Sequence, residues 1–218
     1  MSMAEARLKK DDVVKVYSGV APIYDLWGRL TETRARMRSL ELANIRNGEA
    51  ILEVAPGTGM TFREILKANP DGRNVGVDIT PAMLEKARLK AAKTRSSNYQ
   101  LLVGDAYHLE FPEGTFDLVM NNYMFDLLPE KDFIQVLKQF KRILKPAGRI
   151  LLVNMTKGAR FYQHFWETIY HVNPTWLGGC RGVLLAPAMQ ATGFVNIQRE
   201  TTSQFGFPSE IISATNRY

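Results

Sequence analysis

From residue 50 onward the chain alternates short apolar runs with runs of helical spacing. Ala50–Val54, Arg73–Asp78, Tyr99–Val103, Phe116–Met120 and Arg149–Val153 read as short strands bounded by turn residues. Between them, Thr61–Ala68 reads as a helix. Thr80-Pro81 opens another that runs to about Lys93, with Thr80 as N-cap and Pro81 in the first turn. Phe133, Val136, Leu137, Phe140, Ile143 and Leu144 keep helical spacing and form one apolar stripe. Lys145-Pro146-Ala147-Gly148 interrupts it. Strands that alternate with helices in this way predict βαβ units and a parallel sheet.

The two ends break the alternation. Residues 1–48 look helical, with an irregular segment from Tyr17 to Asp25 around Pro22. Residues 156–192 carry Phe161, Tyr162, Phe165, Trp166, Tyr170, Trp176, His164 and His171, and read as an insertion rather than another βα unit. Val195–Gln204 and Glu210–Asn216 read as strands. The short link Phe205-Gly206-Phe207-Pro208 makes them an antiparallel pair. The expected architecture is α/β, as one domain over residues 1–218. It comprises an N-terminal helical cap (1–48), a core (49–155), a substrate-cap insertion (156–192) and C-terminal antiparallel strands (193–218).

Composition narrows the function classes. The 218 residues, 45% hydrophobic and 23% charged, suit one soluble α/β domain and exclude a disordered or fibrous chain. The formal charge is +6, yet the basic residues do not form a stripe. In the densest cluster (Arg29, Arg34, Arg36, Arg38) only Arg34 and Arg38 share a helical face. No nucleic-acid partner is expected. Cys180 stands alone, so no disulfide forms within the chain, in keeping with a reducing cytoplasm. The N-terminus has no apolar core of the signal-peptide kind. No run reaches the ~18 apolar residues of a membrane span. The expectation is a cytoplasmic protein, with at most peripheral membrane contact and no metal site.

Chemistry concentrates at the ends of the strands. Glu53-Val54-Ala55-Pro56-Gly57-Thr58-Gly59 links the first strand to a helix. Glycines there let the chain turn sharply and a ligand approach the backbone, and the helix start favours anionic groups. Asp78 ends the second strand at a spacing of ~20 residues from the loop, where an acid can accept bonds from both hydroxyls of a ribose. Asp105, in Gly104-Asp105-Ala106 after the third strand, can accept a bond from an exocyclic amine such as that of adenine. Asn121 and Asn122 end the fourth strand and either bind cofactor or substrate, or cap the following segment. A glycine loop plus a ribose acid suits NAD or S-adenosylmethionine (SAM). The NAD pattern needs a third glycine where Phe62 stands, so SAM is the expected cofactor.

Residues 12–155 resemble the class I SAM-dependent methyltransferases. Within them they resemble the ubiquinone/menaquinone C-methyltransferase-like (UbiE-type) group. The likeness rests on Val20-Ala21-Pro22-Ile23-Tyr24-Asp25, the Glu53–Gly59 loop, Val75 to Arg88, Gly104 to Val119, and Arg142 to Arg149. It implies a Rossmann-like three-layer α/β/α fold with a seven-stranded, mostly parallel sheet whose last strand is antiparallel. It also implies roles by position. Glu53, Ala55, Gly57, Thr58 and Gly59 belong to the loop against the methionine part of SAM. Asp78 holds the ribose, Ile79 and Met83 pack on the adenosine, and Asp105 and Ala106 hold the adenine edge. Asn121 sits near the methionine moiety, and Tyr17 and Tyr24 close the pocket. Three departures set the chain apart from quinone-pathway members. Ala55 replaces the first loop glycine, Leu26 to Met37 replaces the segment after Tyr24-Asp25, and Asn154 replaces an acidic residue after the fifth strand.

Transfer of a methyl from a sulfonium needs positioning above all, and a base only if the nucleophile must lose a proton. His164 and His171 share a helical face with Phe161 and Thr168 and are the catalytic candidates; a packed amphipathic helix is the alternative. His108 reads as surface. The aromatic insertion favours a small apolar or planar acceptor. With the basic charge, a lipid-like acceptor is the second expectation, after the bacterial phospholipid N-methyltransferases that share a Tyr-Asp N-terminal segment. A non-catalytic SAM-binding protein is the third.

Overall fold

The computed structural model describes residues 28, 30–94, 96–156 and 181–217. Among them seven strands form one sheet: β1 (Ala50–Val54), β2 (Arg73–Asp78), β3 (Tyr99–Val103), β4 (Phe116–Asn122), β5 (Leu144–Met155), β6 (Phe194–Gln204) and β7 (Phe207–Asn216). The helices are α1 (Thr33–Ala43), α2 (Met60–Ala68), α3 (Pro81–Ala91), α4 (Phe133–Ile143) and α5 (Ala186–Thr192). The sheet order is β3-β2-β1-β4-β5-β7-β6. β1 to β5 pair in parallel, and β7 lies antiparallel between β5 and β6. The protein therefore has the expected Rossmann-like fold.

Residue parity along the strands sorts side chains into two cores. Leu52, Val54, Val119, Ile150, Leu152 and Ile212 face one side, where α4 and α5 cover them. Ile51, Leu118, Met120, Leu151, Val153 and Ile211 face the other, beneath α1 and α2. α3 packs through Leu84, Ala87 and Ala91 onto Phe62, Leu66 and Leu101. The α4 stripe of Phe133, Val136, Leu137, Phe140 and Ile143 is fully buried. Leu144, read as its last member, instead starts β5 and pairs with Phe116. Arg149 pairs with Leu118 after an irregular stretch in which Ala147 turns to φ 59°.

Two readings change. The expected insertion at 156–192 lies outside the described residues from 157 to 180. From Val183 onward, however, the chain packs into the main core: Val183, Leu185 and Met189 are buried and α5 leads into β6. α5 spans only seven residues, too short for helical spacing to show in sequence. Among the described residues of the basic cluster, Arg34 and Arg38 are exposed and only Arg36 departs from a solvated surface. Arg38 pairs with Glu200 on β6 at 2.8 Å, the Arg34 N–H donates to Gln204 Oε1 at 2.8 Å, and Arg36 turns inward and is buried. Of the expected N-terminal cap, residues 1–27 lie outside the described residues.

Candidate active site

β1 sits between β2 and β4, so the chain leaves it in opposite directions on its two sides. A crevice forms at the carboxyl ends of such strands. The loop from Ala55 to Gly59 opens it. The Ala55 N–H donates to Val77 O at 2.7 Å and the Gly59 N–H to Pro56 O at 2.9 Å, which closes a tight turn. Ala55, Gly57 and Gly59 all have positive φ, at 55°, 55° and 80°. The two glycines are there for different reasons. A Cβ on Gly57 would meet nothing within 4 Å, so this residue offers bare backbone to open space. A Cβ on Gly59 would lie 2.7 Å from Ala87 Cα, so its absence lets α3 approach the loop. Lys90 reinforces that approach by donating to Thr58 O at 2.9 Å.

Asp78 is buried at the end of β2 and serves both neighbours. Its Oδ2 accepts the Gly57 N–H at 2.9 Å and its Oδ1 the Thr80 N–H at 2.8 Å. Burial pushes this carboxyl up, against the opposing pull of those N–H bonds. Thr80 is the N-cap of α3 and Pro81 opens the helix, as expected; the Thr80 side chain makes no cap bond, and Asp78 holds its backbone N–H. Asp105, half-buried, follows β3, and its Oδ1 accepts the Tyr107 N–H at 3.1 Å. Asp105, Asp78, the Gly57 loop and Asn121 therefore stand in that order along one edge, at the ends of β3, β2, β1 and β4.

A polar cluster lies at the β4 end of this edge. Asn121 Nδ2 donates to Val54 O at 2.8 Å, and Asn122 Nδ2 to Glu53 Oε1 at 3.1 Å and to Thr61 Oγ1 at 3.3 Å. The two amides tie β4 to β1 and α2. Their outward oxygens, and Glu53 Oε2, are buried without a partner. Glu53 and Asn122 lie toward α1 and α2 and Asn121 toward the other face, and unsatisfied acceptors at the ends of β1 and β4 suit a cationic donor such as the α-ammonium of a bound amino-acid group. Burial pushes the Glu53 carboxyl up to about 8, with Asn122 and Arg36 pulling against it. Arg36 enters from α1, contacting Met60 Sδ at 3.6 Å and Thr33 Oγ1 at 3.3 Å. One turn before it, Glu32 is buried, and desolvation raises its carboxyl to about 7.

Of the other expected residues, Met83 is buried under the edge, and Ile79 and Ala106 are half-buried beside Asp78 and Asp105 in sequence. His108 is exposed. Tyr17, Tyr24, His164 and His171 lie outside the described residues. Glu32, Arg36 and Thr61 join the site without having been expected there, whereas Asn122 is the second of the two expected amides. A signal existed for the first two: Glu32, Arg36, Ser39 and Ala43 keep helical spacing, and all four are buried.

Residues 51–148 match the family model described as a methyltransferase domain. Over these residues the chain is similar to methyltransferase domains, whose cofactor is SAM. A demethylmenaquinone methyltransferase of Listeria monocytogenes serotype 4a (strain HCC23) is 29% identical over 157 residues, covering 68% of this chain and 64% of that one. The demethylmenaquinone methyltransferase of Thermus thermophilus is 34% identical over 142 residues, 63% of each chain. The match thus spans somewhat under two thirds of these relatives' length. Among solved structures, the [4+2]-cyclase SpnF superposes with a TM-score of 0.76 at 15% identity, covering 99% of this chain and 98% of that one. That likeness is one of fold. Within the methyltransferase domain the position of the missing third glycine is filled by Phe62, buried and edge-on to Tyr99. The close helix–strand approach that the third glycine of a dinucleotide loop allows has no place there.

Proposed function

We propose that this protein transfers a methyl group from SAM to a small, apolar or planar acceptor. The observation that carries the reading is the convergence on one sheet edge of the bare Gly57 backbone, the Asp78 and Asp105 carboxylates, and the unsatisfied oxygens of Glu53, Asn121 and Asn122. Bound SAM supplies a methyl on a sulfonium, a carbon already activated for displacement. In this reading Asp78 accepts from the ribose, Asp105 from the adenine amine, and Ala106, Ile79 and Met83 line the adenosine. Gly57, Thr58 and Gly59 turn the backbone beneath the methionine part, whose ammonium is held by Glu53 and Asn121. Tyr17 and Tyr24 close over the cofactor, and His164 and His171 belong to the cap over the acceptor. These groups fix distance and approach angle, which is the larger part of catalysing a displacement from an activated leaving group.

The names of the relatives support a quinol-like acceptor, whereas the departures at Leu26 to Met37 and at Asn154 set the chain apart from quinone-pathway members. Asn154 lies in register with Glu210 on β7, whose Oε2 pairs with Arg199. Calorimetry with SAM, S-adenosylhomocysteine and NAD tests the reading first. Micromolar binding of SAM and its demethylated product without NAD supports it, and binding of NAD alone overturns it. An acceptor screen then compares a short-chain demethylmenaquinol with vesicles of phosphatidylethanolamine. Turnover of the vesicles alone would replace the planar acceptor with a lipid. No turnover of any acceptor despite SAM binding would leave a SAM-binding protein.

A further inference from the structure

A buried carboxylate that the binding of SAM does not use lies beside the β4 end of the crevice. Glu32 stands at the start of α1 and is 6% exposed. Among the described residues it makes no side-chain hydrogen bond. The nearest cation, Arg36, is one turn away and directs its guanidinium to Met60 Sδ and Thr33 Oγ1 instead. A Cβ on Gly28 would come within 3.2 Å of Glu32 Oε2 and 3.7 Å of Met60 Sδ, so the missing side chain leaves room beside the carboxylate.

The charged groups acting on Glu32 come from two elements. Arg36 of α1 attracts it, and Asp126 of the β4–α4 connection repels it. Arg36 also acts on Glu53 of β1. Asp126 is itself fixed above β4, accepting the Met155 N–H of β5 at 3.1 Å. The same Gly28 position lies against Met60, the first residue of α2 directly after the Gly59 loop, so Glu32 stands beside the α2 end of the cofactor loop.

We propose that Glu32 is the proton acceptor of the methyl transfer, an inference that rests on the function proposed above. As the acceptor's nucleophilic atom bonds to the methyl carbon and the carbon–sulfur bond breaks with its electron pair going to sulfur, the Glu32 carboxylate takes the proton that the nucleophile gives up. The cofactor leaves as the neutral thioether, so charge and atoms balance. A carboxylate raised by burial to about 7 suits this task, since a base works best near the operating pH.

Two measurements on the full chain test the proposal. The first needs no acceptor. SAM carries a sulfonium charge that S-adenosylhomocysteine lacks, so an ionised Glu32 facing the reacting centre favours SAM. In wild type the ratio of SAM to S-adenosylhomocysteine affinity should rise with pH through about 7. In Glu32→Gln it should fall by roughly fivefold and lose that rise. The second is turnover of a short-chain demethylmenaquinol. Glu32→Gln should lose roughly 100-fold or more at high pH, together with the acidic limb of the profile, with S-adenosylhomocysteine affinity unchanged; Glu32→Asp should recover part of the rate. An unchanged affinity ratio overturns the proposal, as does a limb that survives in Glu32→Gln and vanishes in His171→Ala. If wild type binds SAM but ignores the quinol, the acceptor reading fails on its own, and the affinity ratio still decides for or against Glu32.

Discussion

The Gly57 N–H donates to Asp78 Oδ2 across 2.9 Å, joining the loop after β1 to the acid at the end of β2. The same carboxylate holds the start of α3 through the Thr80 N–H. Asp78 therefore shapes the loop as well as facing the ribose position. Asp78→Ala is expected to weaken SAM binding by roughly 1–3 kcal/mol, the cost of stripping a charged partner, and to lower the melting temperature of the cofactor-free protein. Calorimetry and thermal unfolding read the two effects. Unchanged SAM affinity would remove Asp78 from the cofactor site.

Gly57 and Gly59 separate binding from folding. Gly57→Ala adds a methyl to open space at a positive φ, so it should cost about 1–2 kcal/mol of stability from backbone strain while lowering SAM affinity more than tenfold. Gly59→Ala drives a methyl into the Ala87 backbone and should cost roughly 1–3 kcal/mol for overpacking in addition to the strain. Denaturant melts and SAM titrations of both variants check the contrast.

Ala55 occupies the left-handed region at φ 55°, where the resemblance puts a glycine. Ala55→Gly removes that strain but loosens the unfolded chain. The expected net is a gain of about 0.5 kcal/mol or no loss, against the loss that glycine brings at ordinary positions. A fall of more than about 1 kcal/mol would mean that the methyl group, packed against the main core, matters more than the backbone.

Glu53 makes the stability of the cofactor-free protein depend on pH. Its folded-state carboxyl is raised to about 8, above an ordinary value of 4.5, so between these values the folded state holds more protons than the unfolded state. Stability should therefore be highest below about 4.5, as far as this group is concerned, and fall as pH rises toward 8. Glu53→Gln should flatten that decline and stabilise the cofactor-free protein at pH 8 by roughly 2 kcal/mol, while weakening SAM. Melts from pH 5 to 8.5, with and without SAM, would show it; an equal slope in both proteins would place the ionisation elsewhere.

Much of the fold was legible because its signals are local. β1, β2 and β3 begin and end where the apolar runs do, and the α4 stripe reads directly from residues 133 to 143. Departures from the sequence reading occur where spacing is short or where chain geometry intervenes. α5 has seven residues. Leu144 leaves the α4 stripe because pairing with Phe116 begins there. In the crevice, the loop glycines and the two aspartates announce themselves through turn chemistry and position after strands. Glu32 and Arg36 show only helical spacing, because an acid or a base in an amphipathic pattern looks the same whether it faces water or a buried edge.

The amino-acid sequence by itself determined the alternation of strands and helices, the turn after β1 and the two carboxylates beyond β2 and β3. Each depends on periodicity or on backbone freedom within a few residues. Tertiary structure alone decided that Asp78 bonds both Gly57 and Thr80, that Glu53, Asn121 and Asn122 are left with unsatisfied oxygens, and that Glu32 lies within the field of Arg36 and Asp126. Burial and electrostatic coupling depend on distances between segments far apart in the chain, and those distances exist only once the sheet has formed.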